Sequence, residues 1–143
     1  MIDAAAVEVE EQVVYSSTFT AVGRQVAEFV EGHGILVLFA SNAPAELHDF
    51  SALHDVEIST SGPRPGDILE IDGRRIPVLA VGDVVEANLL NLGHVDLKAN
   101  GAVEPDMPGD VCVATASLQV PRPGATFRIL RPTVPVPHSE DIP

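Results

Sequence analysis

Three Pro-Gly pairs punctuate the chain, at Pro65-Gly66, Pro108-Gly109 and Pro123-Gly124. Each stands just before an apolar, strand-like run: DILEI, DVCVA and ATFRIL. Proline fixes its own φ and lacks an N–H, while glycine reaches positive φ, so such pairs turn the chain and break helices and ladders alike. A repeated turn-then-strand unit suits a small barrel or sandwich better than a helical bundle. A fourth turn, Asp72-Gly73, splits Ile68–Val81 into two strand-like runs and fits the positive-φ corner of a tight hairpin. These signals predict a mainly β fold: a small closed β-barrel-like domain with two or three short helices.

The remaining elements follow from periodicity. Val13–Thr20 is rich in β-branched residues and predicts a strand. Val22, Val26, Phe29 and Val30 recur at helical spacing and predict a short helix ending near Gly32. The unbroken apolar run Ile35–Phe39 suits a buried strand, and His54–Ile58 reads as another. Between them, Asn42 as cap and Pro44 in the first turn predict a short helix with Leu47 and Phe50 on its buried face. A further helix is expected over Asp83–Leu92, with Asp83 as N-cap, an apolar stripe of Val84, Val85, Leu89 and Leu92, and Gly93 at C′. His94–Lys98 then resumes as a strand, closed by Asn100-Gly101.

A length of 143 residues is one domain's worth. The expected organisation is an acidic leader over residues 1–12, a folded domain over 13–131 and a proline-rich tail over 132–143. The leader reads as a frayed strand or a disordered segment, the tail as extended and solvated. Eight Lys and Arg against 21 Asp and Glu leave a net charge of −13. Such a chain does not hold a phosphate backbone in a basic groove, which excludes nucleic acid as the main partner. No apolar run approaches the roughly 20 residues of a membrane span, and acids stand where a secretory signal carries Lys or Arg. Cys112 is the single cysteine, so no internal disulfide forms. A cytoplasmic location is expected.

Phosphate-binding P-loops, nucleophile elbows and zinc-protease motifs are all missing, which leaves histidine as the informative residue. His138 lies in the proline-rich tail, His33 sits between two glycines as a turn residue, and His48 faces away from the buried side of its expected helix. His54 and His94 stand at junctions, where loops gather on a scaffold. His48, Asp49, His54 and His94 together have the ligand types of a zinc site, though not a recognised spacing. A small metal-binding domain and a non-catalytic binding or regulatory barrel therefore both stay open.

The stretch Ala80–Val95 reads A-V-G-x-V-x-E-x-N-L-x-x-L-G-H-V, with Glu86, Asn88, Leu89, Leu92, Gly93 and His94 in place. A second block holds Phe39, Ala43-Pro44, Glu46-Leu47, Asp49-Phe50 and His54. In both blocks the chain resembles the glucitol/sorbitol-specific IIA component of the bacterial phosphoenolpyruvate-dependent sugar phosphotransferase system (PTS), over about residues 13 to 131.

The resemblance implies a phosphocarrier with a barrel-like fold and no cofactor. It implies that a histidine, here His54, accepts a phosphoryl group from the carrier HPr and passes it to the IIB component of the IIB/IIC glucitol permease. His94 is assigned a supporting role, as a donor to a phosphoryl oxygen or in orienting the acceptor ring. Main-chain N–H groups at the start of the helix near Val84 are expected to neutralise the phosphoryl oxygens. Asp49, Asp55 and Glu57 lie close to His54 in sequence and repel such a group, although Asp55 and Glu57 fall on the opposite strand face. Arg74 and Arg75 at the hairpin tip are the candidate compensating cations. The acidity suits recruitment of a basic partner such as HPr, and equally suits plain solubility.

Overall fold

The computed structural model describes residues 10–133. Strands β1 (Glu10–Val22), β2 (Ile35–Ala40), β3 (Ser51–Ser59), β4 (Ile68–Ile71), β5 (Arg74–Pro77), β6 (Ala80–Val81), β7 (Val95–Lys98), β8 (Asp110–Cys112) and β9 (Thr126–Thr133) form one sheet. Helices α1 (Val26–His33) and α2 (Val85–Leu92) and a 3-10 turn at Ala45–Leu47 complete the chain. The mainly β expectation holds, with two short helices.

The strand order is β5-β4-β9-β1-β3-β2-β7-β8-β6. All pairs are antiparallel except β2 with β3 and β7 with β8. The two outermost strands, β5 and β6, are joined by only Val78 and Leu79. Val78 N–H donates to Asp67 O (2.8 Å) on one side, and Leu79 N–H donates to Cys112 O (2.9 Å) on the other. The sheet therefore curls round a core, and chain continuity rather than a β5–β6 ladder brings its ends together.

Each Pro-Gly pair precedes a strand as expected: β4, β8 and β9. Asp72 (φ 51°) and Gly73 (φ 81°) take the two positive-φ positions of the β4–β5 hairpin. Asp72 is held there by Arg122, which donates to both carboxylate oxygens at 2.8 and 2.9 Å.

Helix boundaries depart from the pattern-based expectation. Val22 belongs to β1, and α1 runs through His33 to a left-handed Gly34 (φ 67°), so the stop is two residues beyond Gly32. The helix expected over Asn42–Phe50 shrinks to the 3-10 turn without a side-chain cap, and Leu47 and Phe50 are only half-buried. Helix α2 likewise starts without a side-chain cap, at Val84 rather than Asp83. Only Val85 and Leu89 of its expected stripe are buried, while Val84 and Leu92 are exposed. Short-range apolar spacing overstates helices where strands on either side claim the same residues. Strand β2 alternates buried and half-buried residues instead of burying both faces.

At the chain's margins, Glu10 pairs with Thr133 and Glu11 with Pro132. Three residues assigned to the leader and two assigned to the tail thus join the sheet. The rest of both segments, with His138, lies outside the described residues.

The core is built from Tyr15, Phe19, Leu36, Leu38, Leu69, Leu97, Phe127 and Ile129, each almost wholly buried. Tyr15 and Phe127 meet edge to face with centroids 5.9 Å apart. Phe127→Ala removes the ring shared by β1, β3 and β9 and is expected to lower the unfolding free energy by about 3–5 kcal/mol. Urea denaturation reads the change; a loss below about 1 kcal/mol would mean that this ring does not fill the core.

Candidate functional site

Strand register sets the centre of the site. His54 on β3 lies opposite Phe19 on β1 and beside Ala40 on β2. Residues two apart on a strand share a face, so Tyr15, Ser17 and Phe19 of β1 all point toward the His54 side. The imidazole is completely buried. Tyr15, Phe19 and Phe127 surround it, with ring centroids at 6.2, 6.3 and 6.0 Å.

A ring with two polar nitrogens in such a setting needs a partner for each. Nδ1 lies 2.7 Å from the Ser17 hydroxyl, itself fully buried. Nε2 lies 2.7 Å from the main-chain carbonyl oxygen of Gly93. A carbonyl only accepts, so Nε2 carries the proton of the neutral ring, and the lone pair of Nδ1 accepts from Ser17. Burial pushes the His54 pKa below its ordinary value, outweighing the opposing effects of the Gly93 hydrogen bond and the Asp55 charge. The ring is neutral at pH 7.

Gly93 reaches this position because α2 ends on it in the left-handed conformation (φ 62°). Its N–H donates to Leu89 O, and the next N–H, of His94, donates to Asn88 O. The Gly93 bond, from C′ back to C3, is the αL closure that ends helices at glycine. A side chain there is barred twice, by the positive φ and by Ala40, whose N and Cβ would stand 2.9 Å from an added Cβ. Gly93 therefore packs on Ala40, the β2 neighbour of His54, and presents its carbonyl to the ring.

His94 stacks on Phe39 at a centroid distance of 4.0 Å and pairs its Nδ1 with Leu38 O at 3.1 Å. Its Nε2 lies 3.7 Å from Asp96 Oδ1, and its side chain is 20% exposed. The Asp96 carboxyl is pushed up, mainly by burial, with His94 opposing that shift. No hydrogen bond joins His94 to His54; the residue before it makes the link.

Several expectations about the site are corrected. The end of α2 that meets His54 is its C-terminus, which presents carbonyl oxygens, so the N–H groups near Val84 do not face the ring. Arg75 pairs with Glu11, and Arg74 lines a small recess with Ile71, Ile76 and Gln119; neither contacts His54. His48 is half-buried rather than free, with its Nε2 2.7 Å from Ala43 O. His33 is the last residue of α1 rather than a turn residue. Asp49 pairs with Arg24 at 3.1 Å. Among the described residues no three His, Cys, Asp or Glu side chains converge to hold a metal, so His48, Asp49, His54 and His94 do not form a zinc site. Asp55 and Glu57 are exposed, but not through alternation: β3 is buried through its first four residues and exposed through its last five, Val56 and Ile58 included.

Sequence reasoning missed Ser17 and the Gly93 carbonyl. A signal for Ser17 existed: it is the polar member of the inward triplet Tyr15, Ser17, Phe19. A carbonyl has no sequence signature, and Gly93 was legible only as a helix stop.

A histidine whose folded pKa is lowered favours the fold when neutral. That contribution is complete above the unfolded value of 6.5 and is lost as pH falls from there toward the folded pKa. Wild-type protein is therefore expected to lose stability below pH 6.5 relative to His54→Gln, by up to about 1.4 kcal/mol per pH unit. Denaturation curves at pH 7.5, 6.0 and 5.0 measure the difference; parallel behaviour of the two proteins would contradict a buried neutral His54.

The comparisons with known proteins agree on one family. The family model for the PTS system glucitol/sorbitol-specific IIA component matches residues 14–128. Proteins named PTS system glucitol/sorbitol-specific EIIA component from Shigella flexneri and Escherichia coli are each 35% identical over 102 residues. The match covers 71% of this chain and 82% of each relative. The crystal structure of a PTS system IIA component from Enterococcus faecalis superposes with a TM-score of 0.64 at 20% identity. It covers 78% of this chain and 96% of that one, a likeness of fold. Among the described residues no helix is long and apolar enough to cross a membrane. With a family match over most of its length, and relatives at this identity, the chain belongs to the glucitol/sorbitol-specific IIA components of the sugar phosphotransferase system.

Proposed function

We propose that the chain is the phosphocarrier that takes a phosphoryl group from phosphorylated HPr on His54 and passes it to the IIB component of a glucitol permease. The observation that carries this reading is the neutral, tautomerically defined imidazole at the meeting of β1, β3 and the end of α2. An uncharged imidazole is the nucleophilic form, and burial keeps the ring in it. Family membership supports the choice of phosphoryl transfer and of glucitol or sorbitol as the sugar served. The reaction places the protein at the cytoplasmic face of the permease.

The enclosure of His54 adds a requirement. Phosphoryl transfer needs donor, phosphorus and acceptor in line at close range. A fully buried ring meets that condition only after its cover moves. The hydrogen-bond partner on the Nε2 side is a main-chain carbonyl in the α2–β7 junction, and that junction is also where His94 and the exposed Leu92 lie. The described structure is therefore a closed, resting state in this reading.

A second reading, with His94 as the acceptor, is favoured by its partial exposure. Against it stand the Asp96 carboxylate beside Nε2, which repels an anion, and the engagement of Nδ1 by Leu38 O.

Incubation with phosphoenolpyruvate, enzyme I and HPr, followed by mass spectrometry under alkaline conditions, separates the readings. The expected result is one acid-labile phosphoryl group per chain, localised to the peptide holding His54, absent from His54→Gln and retained by His94→Ala. Localisation to His94 would establish the second reading. No incorporation, with HPr itself phosphorylated, would overturn both.

A further inference from the structure

The two hydrogen-bond partners of His54 differ in kind. The Gly93 carbonyl only accepts, so it holds the ring in one tautomer alone. The Ser17 hydroxyl both donates and accepts, and besides Nδ1 at 2.7 Å it has a second neighbour, the Phe127 carbonyl oxygen at 3.5 Å. With the proton on Nε2, Ser17 donates to Nδ1. With the proton on Nδ1, that N–H donates to Ser17 Oγ, and the hydroxyl hydrogen turns to Phe127 O, shortening the longer contact. Every polar atom of the group stays satisfied except Nε2 and the Gly93 carbonyl, whose mutual bond is lost. That loss is what frees Nε2.

We propose that Ser17 is the positioning residue of His54, anchoring Nδ1 through both neutral tautomers so that Nε2 is released as the nucleophile; this rests on His54 being the phosphoryl acceptor. The change of tautomer moves one proton from Nε2 to solvent and one from solvent to Nδ1. In the transfer itself the Nε2 lone pair forms the N–P bond. The P–N bond of the phosphorylated donor breaks, and its electron pair returns to the donor nitrogen. The ring keeps its single proton on Nδ1, and Ser17 accepts the hydrogen bond from it.

The placement of Ser17 supports this role. It stands fully buried between Tyr15 and Phe19, on a strand face that is otherwise aromatic. A hydroxyl there costs free energy unless it is bonded, and its short bond is to the ring. Nδ1 is bonded to a side chain of the central strand β1, whereas Nε2 is bonded to a main-chain carbonyl at a helix end.

The test uses the full chain with ring-¹⁵N-labelled histidine, as wild type, Ser17→Ala and Ser17→Thr. The unphosphorylated ring is read first. Ser17→Ala is expected to lock His54 with the proton on Nε2, whereas wild type and Ser17→Thr show a shared contribution from the other tautomer. The same ¹⁵N pattern in all three proteins overturns the proposal, whatever the phosphorylation result. Phosphorylation by HPr is read second: the rate is expected to fall about tenfold or more in Ser17→Ala, the scale of one lost hydrogen bond, and to recover in Ser17→Thr. A merely structural serine would lower the melting temperature of Ser17→Ala without changing tautomer or rate, which also overturns the proposal. Where Ser17→Ala folds poorly, Ser17→Cys, with its weaker donor and acceptor, is expected to change both readings in the same direction. If wild type shows the tautomer response but takes no phosphoryl group, the phosphocarrier reading fails while the hold of Ser17 on the ring stands.

Discussion

The interior turns on one polar ring. His54 lies where β1, β2 and β3 converge, in a place that an aliphatic side chain would fill at no electrostatic cost. Accommodating an imidazole there demands two partners with good geometry, and each partner imposes its own condition. Ser17 has to face inward on β1, which fixes the register of β1 against β3 around their irregularities. Gly93 has to end α2 against Ala40, which fixes where the helix stops and how β7 leaves it. The local geometry of four strands and a helix follows from satisfying two nitrogens.

The same arrangement reconciles two demands that pull apart. If His54 accepts the phosphoryl group as proposed, it has to be neutral, and burial favours that form. An acceptor also has to be reachable, and burial prevents it. Pairing one nitrogen with a carbonyl from a helix end, rather than with a central strand, puts that partner where it can shift without unzipping the sheet. Helix ends fray at low cost, whereas a central strand opens only with the whole fold.

Turn chemistry was the legible part of the sequence. Pro-Gly and Asp-Gly pairs announce their geometry through residue identity, so β4, β5, β8 and β9 were readable locally. The helices were misjudged at their starts and faces because Val22, Val84 and Leu92 carry apolar side chains whose burial is settled by distant strands. At the site, His54 and His94 were both marked by their positions at junctions, and the resemblance singled out His54. Their environment was not readable. Which end of α2 meets the imidazole depends on the path of the whole chain, and a main-chain carbonyl has no letter of its own. Arg74 and Arg75 looked available because sequence proximity to a turn says nothing about the sheet order that carries β5 to the far edge.

The pairing of β1 with β9 has a kinetic side. Ser17 and Phe127, which both help enclose His54, are 110 residues apart. Contacts of such separation bear the full entropy of closing a long loop, and folds dominated by them assemble slowly. On the ribosome, the wall that Phe127 supplies arrives only after the other described strands have been synthesised. Until then the imidazole is open to water and ordinarily basic. The shielding that defines the residue is thus a late product of folding, acquired when the final described strand docks.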